Sequence, residues 1–236
     1  MLADELAEGR RDLRALVQRW AARHLSGPGD MDAETAAALV HLARHDTPPS
    51  RAPGQGSDPL VRVVPVALAS YDAPRTLVSA TYHIAALTHP EPLVAWAAVA
   101  VNVALARLLG GKRDFVPDVI DALRSNEVPD ALLAAVRRVP LPPRAAGGED
   151  AHAPGRALDD AEAALRLAYH EPVLERGLAP FAGAGPASAA RAGLVGALFG
   201  ARDGIAAIPT AWAASLDQQG LTRLAARLVT RAPAKA

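Results

Sequence analysis

The sequence contains no cysteine and few aromatic residues. The absence of cysteine excludes disulfide bonds, thiolate metal centres and cysteine nucleophiles. Aromatic residues make up 4% of the 236 residues, and the formal net charge is zero. A neutral chain argues against nucleic acid or a membrane surface as a partner. Charged residues begin at Asp4 and leave no room for a secretory leader, so the predicted location is the cytoplasm.

Alanine dominates the hydrophobic residues, which form half of the chain. They recur at helical spacing, and no alternating pattern typical of strands is present. The sequence therefore predicts an all-α protein with a single domain over residues 1–230 and a disordered tail at residues 231–236.

The spacing of the apolar residues predicts a series of helices. In chain order they are one amphipathic helix from residue 2 to the break at residues 26–29, a helix capped by Asp30 or Asp32 and ending near residue 45, a short buried helix at 61–69, a helix capped by Asp72 and ending at residue 87, a central helix ending at residue 109, and helices near 114–125, 129–139, 158–169, 172–181, 187–201 and 221–231. Loops rich in proline and glycine are predicted at 46–59 and 141–155.

The stretch over residues 93–109 is apolar on nearly every face, which predicts a buried helix. A membrane span needs about 20 apolar residues; this run is shorter and contains Arg107, so we interpret it as the core helix. Either Thr88 or His89 is the predicted cap. His89 would then lie at the positive end of the helix, where anions bind.

Candidate metal ligands are sparse. His41 and His45 have the spacing of zinc ligands on a helix, but the glutamate of that motif is absent, so exposed histidines are the preferred interpretation. The acids Asp30, Asp32 and Glu34 are interpreted as helix-capping residues rather than a cation site. The residues alone predict neither a metal site nor a catalytic residue, and leave only an anion site near His89.

Three segments carry a resemblance to a known family. Residues 59–68, PLVRVVPVAL, resemble NGSLMRVAPLAL, and residues 86–90, ALTHP, precede the apolar helix as in the family. Residues 192–204, followed by IP and Trp212, resemble AAIAGALLGARYG…IP..W. In this order and spacing, the chain resembles the ADP-ribosylglycohydrolase family, which includes the hydrolase acting on dinitrogenase reductase. The resemblance implies an all-α orthogonal helical bundle and the removal of ADP-ribose from proteins.

The resemblance also implies two magnesium ions, and here the chain departs from the family. One family ligand set is an N-terminal Thr-Asp-Asp, which has no counterpart; Met1 is expected to begin just after it, in an N-terminally shortened protein. The other is a Gly-Gly-Asp-Thr-Asp-Thr run that aligns with residues 185–190, where Ala187 and Ala189 replace the aspartates and Ala190 replaces the last threonine. Without the carboxylates that magnesium requires, nothing would activate water.

A family loop, Gly-Asn-Gly-Ser, maps to residues 56–59, and a family histidine that lies against ADP-ribose maps to His89. The resemblance therefore implies that Gly56, Ser57 and His89 are the ligand-binding residues, with no catalytic and no metal-binding residue.

Two features of this loop weaken the expected ligand site. Asp58 would repel a diphosphate, and Pro59 removes a backbone donor. Arg62 matches a family arginine; because it lies among apolar residues, it must be paired, and we predict a structural role.

These expectations favour a catalytically degenerate ADP-ribosylglycohydrolase-like protein (a pseudoenzyme) with a binding, scaffolding or regulatory role and no cofactor. The alternative is an active ADP-ribosylglycohydrolase that uses an unrecognised or partner-completed site. A missing opening segment would leave apolar surface bare, so we expect a homo-oligomer or a protein partner. ADP-ribose or another nucleotide is a predicted weak ligand.

Overall fold

A computed structural model describes residues 2–10, 12–25, 27, 33–45, 47–50, 54–142, 156–182 and 188–230. Every regular element within these ranges is helical, which confirms the predicted all-α fold. The extended pairing in the described part of the chain is an isolated antiparallel bridge between Gly56 and Arg156.

The helices follow one another with short connections. They are α1 (Leu2–Ala7), α2 (Leu13–Leu25), α3 (Ala33–His45), α4 (Asp58–Arg62), α5 (Val64–Ser70), α6 (Pro74–Ala86), α7 (Pro92–Leu109), α8 (Val116–Arg124), α9 (Asp130–Arg138), α10 (Ala157–His170), α11 (Leu174–Leu178), α12 (Ala189–Asp203), α13 (Thr210–Ala213) and α14 (Gln218–Thr230). Two short 3₁₀ segments lie at Ala179–Phe181 and Ile205–Ala207.

Helix α7 is the centre of the molecule, as the sequence predicts. It packs most extensively against α6 and also contacts α4, α5, α8, α9, α10 and α12. Of its 18 residues, 14 are buried. Within the described ranges it is the one helix whose length and composition would suit a membrane span, with 78% of that window buried inside the protein. Burial among other helices accounts for its apolar composition.

The predicted cap of α7 is wrong by two or three residues. The N-cap is Glu91, in an extended conformation, and the helix begins at Pro92. Thr88 and His89 precede the helix, so His89 does not lie at its N-terminal turn. The two prolines explain the shift, because a residue that precedes proline is disfavoured in the helical region. Pro90 restricts His89, Pro92 restricts Glu91, and the helix starts at the second proline.

The predicted first helix is two helices. Gly9 has a φ of 75°, a left-handed conformation that ends α1. Asp12 then starts α2, since its Oδ1 accepts hydrogen bonds from the backbone N–H groups of Arg14 and Ala15 at 2.9 and 3.1 Å. This arrangement is a side-chain cap of the usual kind.

The short helix predicted at 61–69 also divides, into α4 and α5, which meet at Val63. Pro65 lies in the first turn of α5, where its missing N–H group costs no helical hydrogen bond. The predicted cap of α6 is wrong, because Ala73 rather than Asp72 precedes Pro74 at the helix start.

The later helices occur near their predicted positions, except that α13 and the adjoining 3₁₀ turn at 205–207 were not predicted. Residues 143–155, the tail at 231–236, and the predicted caps Asp30 and Asp32 lie outside the described residues.

A buried arginine joins α12 to the end of α10. Arg202 is 4% exposed and donates hydrogen bonds to the carbonyl oxygens of Ala168 and Glu171 at 2.7 and 2.8 Å. Its guanidinium also pairs with Asp203 at 2.6 Å and lies 4.1 Å above the ring of Phe199. These contacts satisfy the carbonyl groups that the last turn of a helix leaves unpaired.

Candidate functional site

His89 lies in the turn between α6 and α7, and its side chain is completely buried. Its Nδ1 is 3.1 Å from the hydroxyl of Thr88, and its Nε2 is 3.2 Å from Oε2 of Glu34. Glu34 belongs to the first turn of α3 and is one-third exposed, with 33% of its side chain accessible. The histidine that the sequence assigns to ligand binding is therefore covered by a carboxylate of the same chain.

A second set of polar contacts surrounds Arg62, at the end of α4. One guanidinium nitrogen donates to Oδ2 of Asp58 at 2.9 Å and to the hydroxyl of Thr35 at 3.2 Å. The other donates to the hydroxyl of Thr88. The guanidinium also lies 5.3 Å from the centre of the Trp20 ring, in the range of a cation–π contact. The prediction that Arg62 must be paired is confirmed by these contacts.

The two sets meet at Thr88 and form one directed network. Arg62 can only donate, so the Thr88 oxygen accepts from it and its single hydrogen is available for Nδ1 of His89. A neutral ring that accepts from Thr88 carries its proton on Nε2 and donates to Glu34. With these hydrogen positions a chain of donors runs from the Arg62–Asp58 pair through Thr88 and His89 to the carboxylate of Glu34.

Gly56 allows Glu34 and His89 to approach each other. A Cβ atom at this position would lie 2.9 Å from Oε2 of Glu34 and 3.4 Å from Nε2 of His89. The first distance is shorter than real contacts allow, so any side chain here would displace the carboxylate. The segment is held from the other side, since the backbone N–H of Ala157 donates to the carbonyl of Gln55 at 2.8 Å.

The structure thus brings two of the three predicted ligand-binding residues, Gly56 and His89, into one place. Ser57 is the adjacent buried residue at the N-cap of α4, although its side chain makes no capping hydrogen bond. The predicted effect of Asp58 changes, because its charge is balanced by Arg62. The acid in contact with the ring of His89 is Glu34.

The sequence predicts a capping role for Glu34 and gives no sign of its contact with His89. These residues are 55 positions apart. No local spacing indicates such a contact, since helical periodicity relates only residues three or four apart.

The position predicted for the magnesium ligands lies at the start of α12. Of residues 185–190, the structure describes Ser188, which is buried, followed by Ala189 and Ala190 in the first turn. The next residue, Arg191, pairs through Nε with Oδ1 of the fully buried Asp160 at 2.6 Å. Ala189 and Ala190 carry no oxygen ligand, and the guanidinium of Arg191 is a cation, so these described positions do not fit magnesium. Ala187 lies outside the described residues.

Groups of three or more histidine, aspartate or glutamate side chains that could hold a metal ion do not occur in the described part of the chain. The rings of His41 and His45 instead contact each other, with centroids 4.5 Å apart.

The helical bundle around a buried apolar helix, with a histidine at the turn before that helix, can be compared with known proteins. A family model described as ADP-ribosylglycohydrolase matches residues 1–236. The chain belongs to the ADP-ribosylglycohydrolase family, as the three sequence segments predict.

A solved structure of an "ADP-ribosylglycohydrolase-related protein complex" is similar in fold, with a TM-score of 0.78 and 24% sequence identity. The match covers 98% of this chain and 78% of the other. At this identity the likeness shows the fold alone. No curated protein matches the sequence.

Proposed function

We propose that this protein is a catalytically degenerate ADP-ribosylglycohydrolase-like protein with a binding or regulatory role. The observation that carries the proposal is the complete burial of His89 against Glu34. A ribose or phosphate that approached this ring would first have to displace a carboxylate of the chain itself. Any such ligand is therefore bound weakly, because breaking a charge-assisted contact offsets part of the binding free energy.

The start of α12 supports the same proposal. A site that activates water with two magnesium ions needs several carboxylates around the metals. Here the first turn of α12 holds Ala189, Ala190 and the guanidinium of Arg191. A guanidinium repels divalent cations, and its partner Asp160 is already occupied by the ion pair. The proposed state has no bound cofactor, and a cytoplasmic location remains a prediction.

Release of ADP-ribose from a modified arginine or serine peptide tests the catalytic part of the proposal. The expected rate equals that of buffer, with and without magnesium. Magnesium-dependent release that a chelator abolishes would contradict it.

Calorimetry with ADP-ribose tests the binding part. We expect the wild-type protein to bind weakly, and Glu34→Gln, which removes the carboxylate charge, to bind about tenfold more tightly, the value of one charged hydrogen bond. Glu127→Gln is the matched control, since Glu127 is an exposed residue between α8 and α9. Equal affinities for the wild-type and Glu34→Gln proteins would show that Glu34 does not control access to His89.

An active enzyme whose site is completed by a partner is the second candidate. Exposed apolar side chains near the C-terminus favour it, namely Ile205, Trp212, Leu216 and Leu221, each at least 43% exposed. The similar solved structure is itself that of a complex. Magnesium-dependent activity found only when the chain is purified together with an associated protein would support this candidate over the first.

A further inference from the structure

A cavity lies between α1, α2, α5 and α6, and it shares no lining residue with the network at His89. Its volume is about 440 Å³. Pockets that bind small molecules usually measure about 300–1,000 Å³. The cavity is therefore large enough for a small organic ligand.

The inner wall of this cavity is aliphatic. Leu2 from α1, Leu16 from α2, Val66 from α5 and Ile84 from α6 line it, and each is at most 5% exposed. Such a wall offers dispersion contacts and no hydrogen bonds, so it favours the hydrocarbon part of a ligand.

Helix α6 gives the cavity a polar edge and an apolar interior. Arg75, Ser79 and His83 are spaced four residues apart, line the cavity and are exposed. The neighbouring row, with the same spacing, is Thr76, Ala80 and Ile84, which becomes more apolar and more buried towards Ile84. Residues four apart lie on the same face of a helix. Helix α6 therefore presents a polar row beside an apolar one.

Among the described residues, the edge carries one positive charge that is not in an ion pair, that of Arg75. Arg10 pairs with Glu5 and Glu8, and the carboxylate of Asp12 accepts the capping hydrogen bonds of α2. Arg75 makes no ion pair with any residue that the structure describes.

His83 donates from Nδ1 to the backbone carbonyl of Ser79 at 2.7 Å, so Nε2 of the neutral ring is an acceptor, and the donor for an anionic ligand at this edge is Arg75. A cation beside an aliphatic wall is complementary to an anion that carries a hydrocarbon chain.

We propose that this cavity binds an amphipathic anion, specifically an aliphatic carboxylate. Its hydrocarbon chain lies against Leu2, Leu16 and Ile84. Its carboxylate is held at the edge by Arg75. The site is independent of the proposed function at His89, since the two share no residue.

Titration calorimetry with three probes tests the proposal: decanoate, decanol and butyrate. Decanoate is expected to bind one to one with submillimolar affinity, below its micelle concentration. Decanol has the same hydrocarbon chain as decanoate but no charge. Butyrate has the same charge but lacks most of the hydrocarbon chain. Decanol and butyrate are each expected to bind at least about tenfold more weakly than decanoate.

Two variants locate the site. Arg75→Gln should weaken decanoate binding about tenfold, with Arg124→Gln, an exposed arginine of α8, as the control that leaves it unchanged. Ala80→Leu places three more carbon atoms in the cavity and should abolish binding, whereas Ala134→Leu on the exposed face of α9 should not. Helical circular dichroism and melting temperature show that each variant is folded.

Decanol binding as tightly as decanoate, or unchanged decanoate affinity in Arg75→Gln, would overturn the assignment to an anion. Decanoate that fails to bind the wild-type protein, or that binds Ala80→Leu equally well, would overturn the assignment to this cavity. Because Arg75 is exposed and makes no ion pair with described residues, its variant stays informative even if Ala80→Leu does not fold.

Discussion

At the scale of single residues, Asn102 is a polar side chain inside the core that needs hydrogen-bond partners there. It lies in the middle of α7, is completely buried, and donates to the carbonyl of Val63 and the hydroxyl of Thr81, both at 2.9 Å. These bonds connect α7 to the junction of α4 and α5 and to α6. A buried amide that bridges three segments stabilises one arrangement of the helices, because any other would leave its donors unpaired.

Replacing Asn102 with alanine is expected to lower the free energy of unfolding by about 2 kcal/mol, since the carbonyl of Val63 loses its side-chain donor inside the core. Urea denaturation measures the change. Asn126→Ala is the matched control: Asn126 is exposed and donates to one carbonyl, that of Ala122, so its loss should cost less than about 1 kcal/mol. Similar losses in both variants would contradict a structural role for Asn102.

Glu5 makes stability depend on pH. Its hydrogen bond from Arg10 lowers the pKa of the carboxyl below its ordinary value of 4.5, with Arg19 acting in the same direction and burial opposing both. A carboxyl whose pKa is lower in the folded state stabilises the protein above its unfolded pKa, and this contribution is lost as the pH falls through the folded pKa.

The difference in melting temperature between the wild-type protein and Glu5→Gln should therefore be largest near about pH 7 and shrink towards about pH 3, because the wild-type carboxyl becomes protonated. Scanning calorimetry across this range measures it. Glu127→Gln should show a small difference at every pH. A difference for Glu5→Gln that does not change with pH would exclude the ion pairs as its source.

At the scale of elements, substitutions at two glycines distinguish the effect of packing on stability from the effect of helix propensity. Gly177 in α11 is buried, and a Cβ atom there would lie 2.9 Å from the ring of Phe199 in α12. Gly196 in α12 has no atom within 4 Å of that position. The same substitution therefore meets a packed ring at one site and open space at the other.

Gly177→Ala is expected to destabilise the protein by about 1–3 kcal/mol, since α11 or Phe199 must shift. Gly196→Ala is expected to stabilise it by about 0.5–1 kcal/mol, the usual gain from replacing glycine within a helix. Urea unfolding of both variants measures these opposite changes. Stabilisation by both would mean that the contact between α11 and α12 is loose.

The sequence predicts elements well where their signals are local. The apolar run of α7 identifies the buried helix, and the three family segments identify the fold. Helical periodicity does not predict the start of α7, the break at Gly9 or the division at Val63. Prolines and a single left-handed glycine determine these three points instead.

The candidate site is predicted less completely than the fold. The resemblance predicts His89 and Gly56 as site residues, and that role stays a prediction. Their contact with Glu34 depends on how α3 packs against the turn before α7. Helical periodicity contains no information about packing between elements so far apart in the chain.

At the scale of the whole molecule, apolar exposure is concentrated near the C-terminus. Ile205, Trp212, Leu216 and Leu221 are 65%, 43%, 50% and 53% exposed. Scattered exposed hydrophobic residues are normal, but several within one short segment are typical of an interface. Association with a second copy or another protein remains a prediction, and this segment is where we expect it.

Light scattering at high protein concentration should give a mass above that of one chain, and the double variant Ile205→Ser, Leu216→Ser should reduce it, because it removes apolar contact area. Leu141→Ser is the control, since Leu141 is 55% exposed but lies after α9. A monomer at every concentration for the wild-type protein would count against self-association.

The bridge between Gly56 and Arg156 has a consequence for the order of folding. It joins positions about 100 residues apart, whereas neighbouring helices such as α6 and α7 meet through short connections. Closing a long loop costs entropy before its contacts form, so pairs with high contact order form late. Because Gly56 also lies against Glu34 and His89, we expect the cover over His89 to be completed only after the two halves of the chain have met.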